Sequence, residues 1–167
     1  MVIVICGVAA AGKTTVGRAL AARLGWAFYD ADDLHSPENV EKMRSGRPLN
    51  DDDRGPWLAR LGDLIAEQFK SGSNAVLACS ALKSDYREAL RRGDPSVRFV
   101  MLDIDRAEAA ERIADREGHF MNPKLLASQF AILEPVEPPD LTADASLGVD
   151  RIVAAIVDWM DGDPRAK

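Results

Sequence analysis

Gly7-Val8-Ala9-Ala10-Ala11-Gly12-Lys13-Thr14 fits the pattern G-x-x-x-x-G-K-[ST] at every fixed position, and its flanks decide the fold. Before it, Val2 to Cys6 is a continuous apolar run, the pattern of a strand buried on both faces. After it, Val16, Leu20 and Leu24 recur every four residues with Ala19 beside them, and Gly25 supplies a helix-ending residue that tolerates positive φ. Average residue frequencies produce such an octapeptide in roughly one chain of this length in a hundred, so the strand-loop-helix setting carries much of the weight. Glycines let the backbone turn its N–H groups onto phosphates, and the helix N-terminus adds the positive end of its dipole. The candidate contacts to ATP are therefore Gly7, Ala9, Ala10, Ala11, Gly12, Lys13, Thr14 and Thr15. Lys13 should reach the β- and γ-phosphates as a catalytic charge, and the Thr14 hydroxyl should take a Mg²⁺ position.

Outward from this loop, short apolar runs alternate with amphipathic helical patterns. A second strand over Ala27 to Tyr29 ends at Asp30, and Ser36-Pro37 has the form of an N-cap with proline at the first helical position, predicting a short helix to Gly46. Leu58, Leu61, Leu64, Ile65 and Phe69 form a helical stripe that stops at Ser71-Gly72. Ala75 to Cys79 reads as the third strand, Ser84 to Arg92 as a basic helix and Val97 to Leu102 as the fourth strand. Asp105 and Glu108 are spaced like a capping box for the next helix. A last strand lies near Leu141 to Ala143, before a closing helix from Val149 to Met160. Five strands alternating with helices imply parallel crossovers and a three-layer α/β sandwich. The proline-rich Glu134 to Asp140 stretch is too short for an interdomain linker and reads as a surface loop.

A chain of 167 residues, 47% hydrophobic, suffices for one compact core and is short for two. A single domain over residues 1–167 is expected. The net charge of −6 argues against a sequence-independent nucleic-acid binder, which needs a basic stripe, while leaving room for a local basic pocket. Cys6 and Cys79 are the only cysteines and both sit in apolar runs, as reduced, buried thiols do. The chain starts directly on a strand-like run without a basic, cleavable leader, and it holds nothing near the ~18 consecutive apolar residues of a membrane span. The expected location is the cytoplasm.

A P-loop fixes the phosphate donor and leaves the acceptor open. Asp30-Ala31-Asp32-Asp33-Leu34-His35 follows the second strand, on the edge where parallel α/β sheets place ligands. Asp30 and Asp32 are two apart and share a side in extended chain, so one could direct Mg²⁺ through water while the other accepts the proton of an attacking hydroxyl. Asp32 lies further along the loop, where an acceptor meets the γ-phosphate, and is assigned the proton; Asp30, at the strand end, is assigned the metal. Asp33 is explained by capping or solvation. The third strand ends Leu77-Ala78-Cys79-Ser80, where many P-loop proteins carry a metal-directing aspartate, so Asp30 or Asp32 must supply it. Asp103 and Asp105 are lower-ranked rivals.

These residues resemble the small gluconate kinases, which are related in fold to shikimate and nucleoside monophosphate kinases. The likeness rests on the P-loop, on Asp30-x-Asp32-x-Leu34-His35, and on a block from Asn39 through Gly46, Asn50-Asp51-Asp52-Asp53-Arg54 and Trp57-Leu58. It continues through Cys79-Ser80-Ala81-Leu82-Lys83-x-x-Tyr86-Arg87, Gly118-His119-Phe120, Gln129-Phe130 and Leu133-Glu134. The resemblance implies ATP-dependent phosphorylation of D-gluconate at its 6-hydroxyl by a homodimer, on a P-loop NTPase sheet of order 2-3-1-4-5. It also implies a helical lid over about 112–134, in which Arg112 contacts the nucleotide and Arg116 neutralises charge on the transferring phosphoryl group. The family places a loop bordering adenine near Ala145 to Leu147.

A polyhydroxy acid needs cations for its carboxylate and hydrogen-bonding groups for its hydroxyls, which Lys42, Arg54, Lys83, Arg87 and His35 could provide. Trp57 either walls the pocket or packs in the core, and His119 either orders its loop or touches ligand. Two competitors stay open. A shikimate or nucleotide kinase would keep the loop and lid without needing the Asn50 to Arg54 block, and a non-enzymatic nucleotide switch would need neither acceptor acids nor lid arginines.

Overall fold

The computed structural model describes residues 1–115 and 124–162. In chain order these form β1 (Val2–Cys6), α1 (Lys13–Leu24), β2 (Ala27–Asp30), a 3₁₀ turn (Ala31–Leu34), α2 (Pro37–Arg44) and α3 (Asp51–Lys70). There follow β3 (Ala75–Ala78), α4 (Ser84–Arg91), β4 (Val97–Asp103), α5 (Arg106–Ala114), α6 (Lys124–Ile132), β5 (Leu141–Asp144) and α7 (Val149–Asp161). Among the described residues no helix is long and apolar enough to cross a membrane.

The strands form one sheet in the order β2-β3-β1-β4-β5, and all four pairings are parallel. In register, Ile5 lies opposite Ala78 of β3 and Val100 of β4, which centres β1 and its loop on the C-terminal edge. The side-chain period of two splits β1 between the layers. Ile3 and Ile5 join Leu20, Ile152 and Ile156 under α1 and α7, while Val2, Val4 and Cys6 join Leu61, Ile65, Leu90 and Phe99 under α3 and α4. Each aliphatic side chain fully buried there contributes about 1.5–3 kcal/mol relative to exposure. Both cysteines are buried and free, and burial pushes the Cys6 thiol up to about 12.

Helix ends explain most boundaries. Ser36 accepts from the Asn39 N–H and Pro37 opens α2, as the sequence implied. Helix α3 begins seven residues before its apolar stripe, because Asn50 and Asp53 form a reciprocal capping box and three consecutive aspartates sit at the positive end of the helix dipole. Pro56, which has no N–H to donate, is carried inside this helix. The capping box expected at α5 takes another form: Asp105 accepts from the Ala107 N–H, and Glu108 pairs with Arg112 instead.

Candidate active site

The P-loop joins the end of β1 to the start of α1. Gly7 adopts φ 136°, and a Cβ there would meet the Leu102 carbonyl oxygen at 2.8 Å, so only glycine lets the loop leave the sheet here. Gly12 caps α1 with φ 94°, and Ala10 also holds a positive φ of 63°. Together they turn the loop so that the first turn of α1 opens towards it. Lys13 Nζ donates to the Val8 carbonyl at 2.9 Å, folding the ammonium back over the loop. Burial holds this amine below the usual lysine range, opposed by the negative charge of Asp32 and Asp30.

Thr14 Oγ1 donates to Asp30 Oδ2 at 2.8 Å, which ties the helix start to the end of β2. The other Asp30 oxygen accepts from the Asp32 N–H at 3.2 Å and so caps the 3₁₀ turn that projects Asp32. A hydroxyl and a carboxylate held together beside a phosphate loop suit Mg²⁺, which takes one or two protein oxygens and keeps waters and phosphates as its other ligands. Among the described residues no group of three or more His, Cys, Asp or Glu could hold a metal, so such an ion would depend on the nucleotide phosphates. Asp33 is exposed, Asp103 ends β4 in solvent and Asp105 is spent on its cap, which leaves Asp30 and Asp32 as the acids beside the loop.

Two clefts lie at the site. One is bounded by Ala10 to Gly12, Thr15, Arg112 and residues of the 145–149 segment after β5. Arg112 frames it by donating to the Ala10 carbonyl at 3.3 Å and the Ala145 carbonyl at 2.8 Å. The other is lined by Asp32, His35, Arg54, Trp57, Ser80 to Leu82, Tyr86 and residues of α6. Trp57 fulfils both expectations, since it is buried, donates Nε1–H to the Ala31 carbonyl at 2.8 Å and still walls this second cleft.

His35 stacks on Trp57 with ring centroids 4.4 Å apart and planes at 11°. Burial, reinforced by the Arg54 charge, pushes its pKa down to about 4. It is therefore a neutral hydrogen-bonding ring at physiological pH, where the sequence had grouped it with cations. Its buried Nδ1 has no hydrogen-bond partner among the described residues, an arrangement that fits a ligand hydroxyl.

The expected cations divide sharply. Arg54 reaches the second cleft, donates to the Tyr86 hydroxyl at 3.2 Å and lies 5.4 Å from the Tyr86 ring centroid. Lys83 is held by both Asp51 oxygens at 3.0 and 2.9 Å, and Asp51 also accepts from Tyr86 Oη. That contact with Asp51 holds the Lys83 ammonium above the usual lysine range. Lys42 departs from expectation: it donates to Asp53 at 2.5 Å and clamps α2 to the start of α3, outside the cleft. Arg87 departs further. It is buried and donates to four carbonyls, those of Ala81, Leu82, Glu134 and Pro135, so it fixes the loop after β3 and stays out of the cleft.

Arg116, His119 and the lid tip lie outside the described residues. Tyr86, Asp51 and Gln129 received no role from the sequence, although all three fall in the blocks that carried the resemblance. Gln129 of α6 lines the second cleft, and its Oε1 accepts from the Ala9 N–H at 2.6 Å.

The family model of the AAA domain matches residues 2–132. A gluconokinase of Gluconobacter oxydans is 54% identical over 132 residues, covering 79% of this chain and 74% of that protein. A solved gluconokinase structure from Sinorhizobium meliloti is 41% identical, superposes with a TM-score of 0.82, and covers 94% of this chain and 89% of that one. The unliganded structure of a sugar kinase from a Janibacter species superposes with a TM-score of 0.91 at 39% identity, covering 99% and 96%. With the nucleotide loop, the paired acids and the second cleft in place, the chain belongs to the gluconokinase family, built on an AAA-type P-loop domain.

Proposed function

We propose that this protein transfers the γ-phosphoryl group of ATP to the 6-hydroxyl of D-gluconate, with Mg²⁺ bound, giving 6-phospho-D-gluconate and ADP. The observation that carries the proposal is the contact of Thr14 Oγ1 with Asp30 Oδ2, which sets the acid-bearing turn after β2 against the phosphate loop and directs Asp32 into the second cleft. The adenosine end of ATP occupies the cleft framed by Arg112, and gluconate occupies the one lined by Asp32, His35 and Arg54.

In this mechanism the gluconate carboxylate pairs with Arg54, and hydroxyls along its chain meet the Nδ1 of neutral His35 and the Ser80 side of the cleft. The 6-hydroxyl then lies beside Asp32, which accepts its proton as the oxygen–phosphorus bond forms and the bond from phosphorus to the β-phosphate bridging oxygen breaks. Lys13 leaves the Val8 carbonyl for the phosphates, and loop N–H groups hold them in line. Thr14, and Asp30 through water, would hold Mg²⁺, which would supply charge neutralisation at the phosphates. Arg116, in a lid over residues 112–134, adds positive charge on the transferring group, while the whole chain works as one kinase domain.

Homodimeric, cytoplasmic operation belongs to the same proposal. Family membership supports it, together with two free, buried thiols. The test is product identity: with ATP, Mg²⁺ and D-gluconate the protein should form a phosphate ester whose ³¹P–¹H coupling locates it on carbon 6. A phosphate on another carbon, or none, would reject the proposal.

A further inference from the structure

The contact between Gln129 and the P-loop joins a helix of the acceptor cleft to a backbone donor of the phosphate site. Its polarity is fixed, because the Ala9 N–H can only donate and the Gln129 amide must present its oxygen. Ala9 is buried, so an N–H there without an acceptor would be costly, and the glutamine meets that need.

The position of this donor along the nucleotide follows from the two clefts. Ala10, Ala11, Gly12 and Thr15 line the nucleoside side, whereas Ala9 is met by a residue that lines the acceptor side. The phosphate nearest the acceptor is the γ-phosphate, so a loop N–H bonded from the acceptor side, as that of Ala9 is, is assigned to that end. A phosphate oxygen and the Gln129 oxygen are both acceptors and cannot share one N–H at full strength.

We propose that Gln129 is a donor-specificity residue that occupies the γ-phosphate's place on the Ala9 N–H until a nucleoside triphosphate displaces it. A diphosphate leaves the contact intact and a triphosphate breaks it. Since Leu125 and Ser128 of the same helix also wall the acceptor cleft, displacement couples arrival of the transferable phosphoryl group to the shape of the site that receives it. The inference rests on the assignment of the P-loop as the ATP site.

The test is calorimetric binding of ADP and of a non-hydrolysable ATP analogue, with Mg²⁺, to the full chain and two variants. Gln129→Ala removes the competitor and should tighten the triphosphate about threefold to tenfold, the range of one ordinary hydrogen bond, with ADP changed less than about twofold. Gln129→Glu keeps the acceptor and adds a negative charge beside the γ-phosphate, so it should weaken the triphosphate more than about tenfold while affecting ADP far less. Opposite shifts of the triphosphate-to-diphosphate affinity ratio would establish the role. An unchanged ratio in both variants, or parallel losses for both nucleotides, would overturn it while leaving the ATP site standing. Failure of the parent protein to bind either nucleotide would overturn the site assignment and this inference together.

Discussion

On the donor side of the P-loop the site is made of backbone, and on the acceptor side it is made of side chains that already hold one another. Gly7 and Gly12 shape the first by conformations that other residues adopt poorly, with the Lys13 ammonium folded over the loop. In the second, Asp51 gathers Lys83 and Tyr86, Tyr86 takes Arg54, and His35 rests on Trp57. A backbone site serves any nucleoside triphosphate and is written in consecutive residues. A side-chain network selects one acceptor, and its members are scattered over more than fifty positions from Asp32 to Tyr86.

The largest effect is expected at Lys13. Lys13→Ala should leave the fold intact, because the ammonium is held by one loop carbonyl and packs no core, yet lower kcat on the order of 10²–10³-fold, as loss of a pre-placed charge at a transition state does. Circular dichroism and steady-state kinetics on the same sample check both halves. Asp32→Asn, on the acceptor side, should lower kcat by at least ~10²-fold, the lower range for a general base, while the KM for ATP stays within about twofold. A folded Asp32→Asn enzyme with near-normal turnover would remove the assigned proton acceptor.

Arg54 and Arg87 sharpen the contrast within the acceptor half. Arg54→Ala should raise the KM for gluconate about tenfold to a hundredfold, the scale of one charged hydrogen bond, and move that for ATP little. Arg87→Ala removes a buried guanidinium that ties four loop carbonyls together and should act first on stability, lowering the melting temperature by roughly 5–10 °C. Exchanged phenotypes would mean that the two guanidiniums have been given each other's tasks.

The smallest effect concerns His35. Its folded pKa of about 4 lies below the ~6.5 of an unfolded histidine, so between those values the unfolded chain binds the proton that the folded one refuses. Stability contributed by neutral His35 is complete above about pH 6.5 and is lost as pH falls towards 4. The loss should be smaller in His35→Asn, read as the urea midpoint against pH, and identical slopes would contradict the assignment.

The sequence made the donor half legible down to individual residues, because a P-loop is local and its strand and helix announce themselves by period. Sheet order came from family likeness, since no pattern within a strand says which neighbour it takes. The start of α3 was hidden because Asp51-Asp52-Asp53-Arg54-Gly55-Pro56 has a loop's composition, and only its place at a helix N-terminus makes three acids favourable. Arg87 and Lys42 do not line the second cleft for one reason: a cation's reach to a substrate depends on what else holds it, and here loop carbonyls and Asp53 do. Tyr86 and Gln129 carry no chemical signature in a linear chain. They matter because α4 and α6 bring them to one cleft.

The most direct measurement of the central claim is ADP release by the wild-type protein with Mg²⁺-ATP across D-gluconate, shikimate and nucleoside monophosphates. D-gluconate should stimulate release most, and the Lys13→Ala protein should show no comparable stimulation. Stimulation by shikimate or a nucleotide without stimulation by gluconate would contradict the acceptor assignment and leave the P-loop intact, and stimulation by none would contradict phosphoryl transfer to these small molecules altogether.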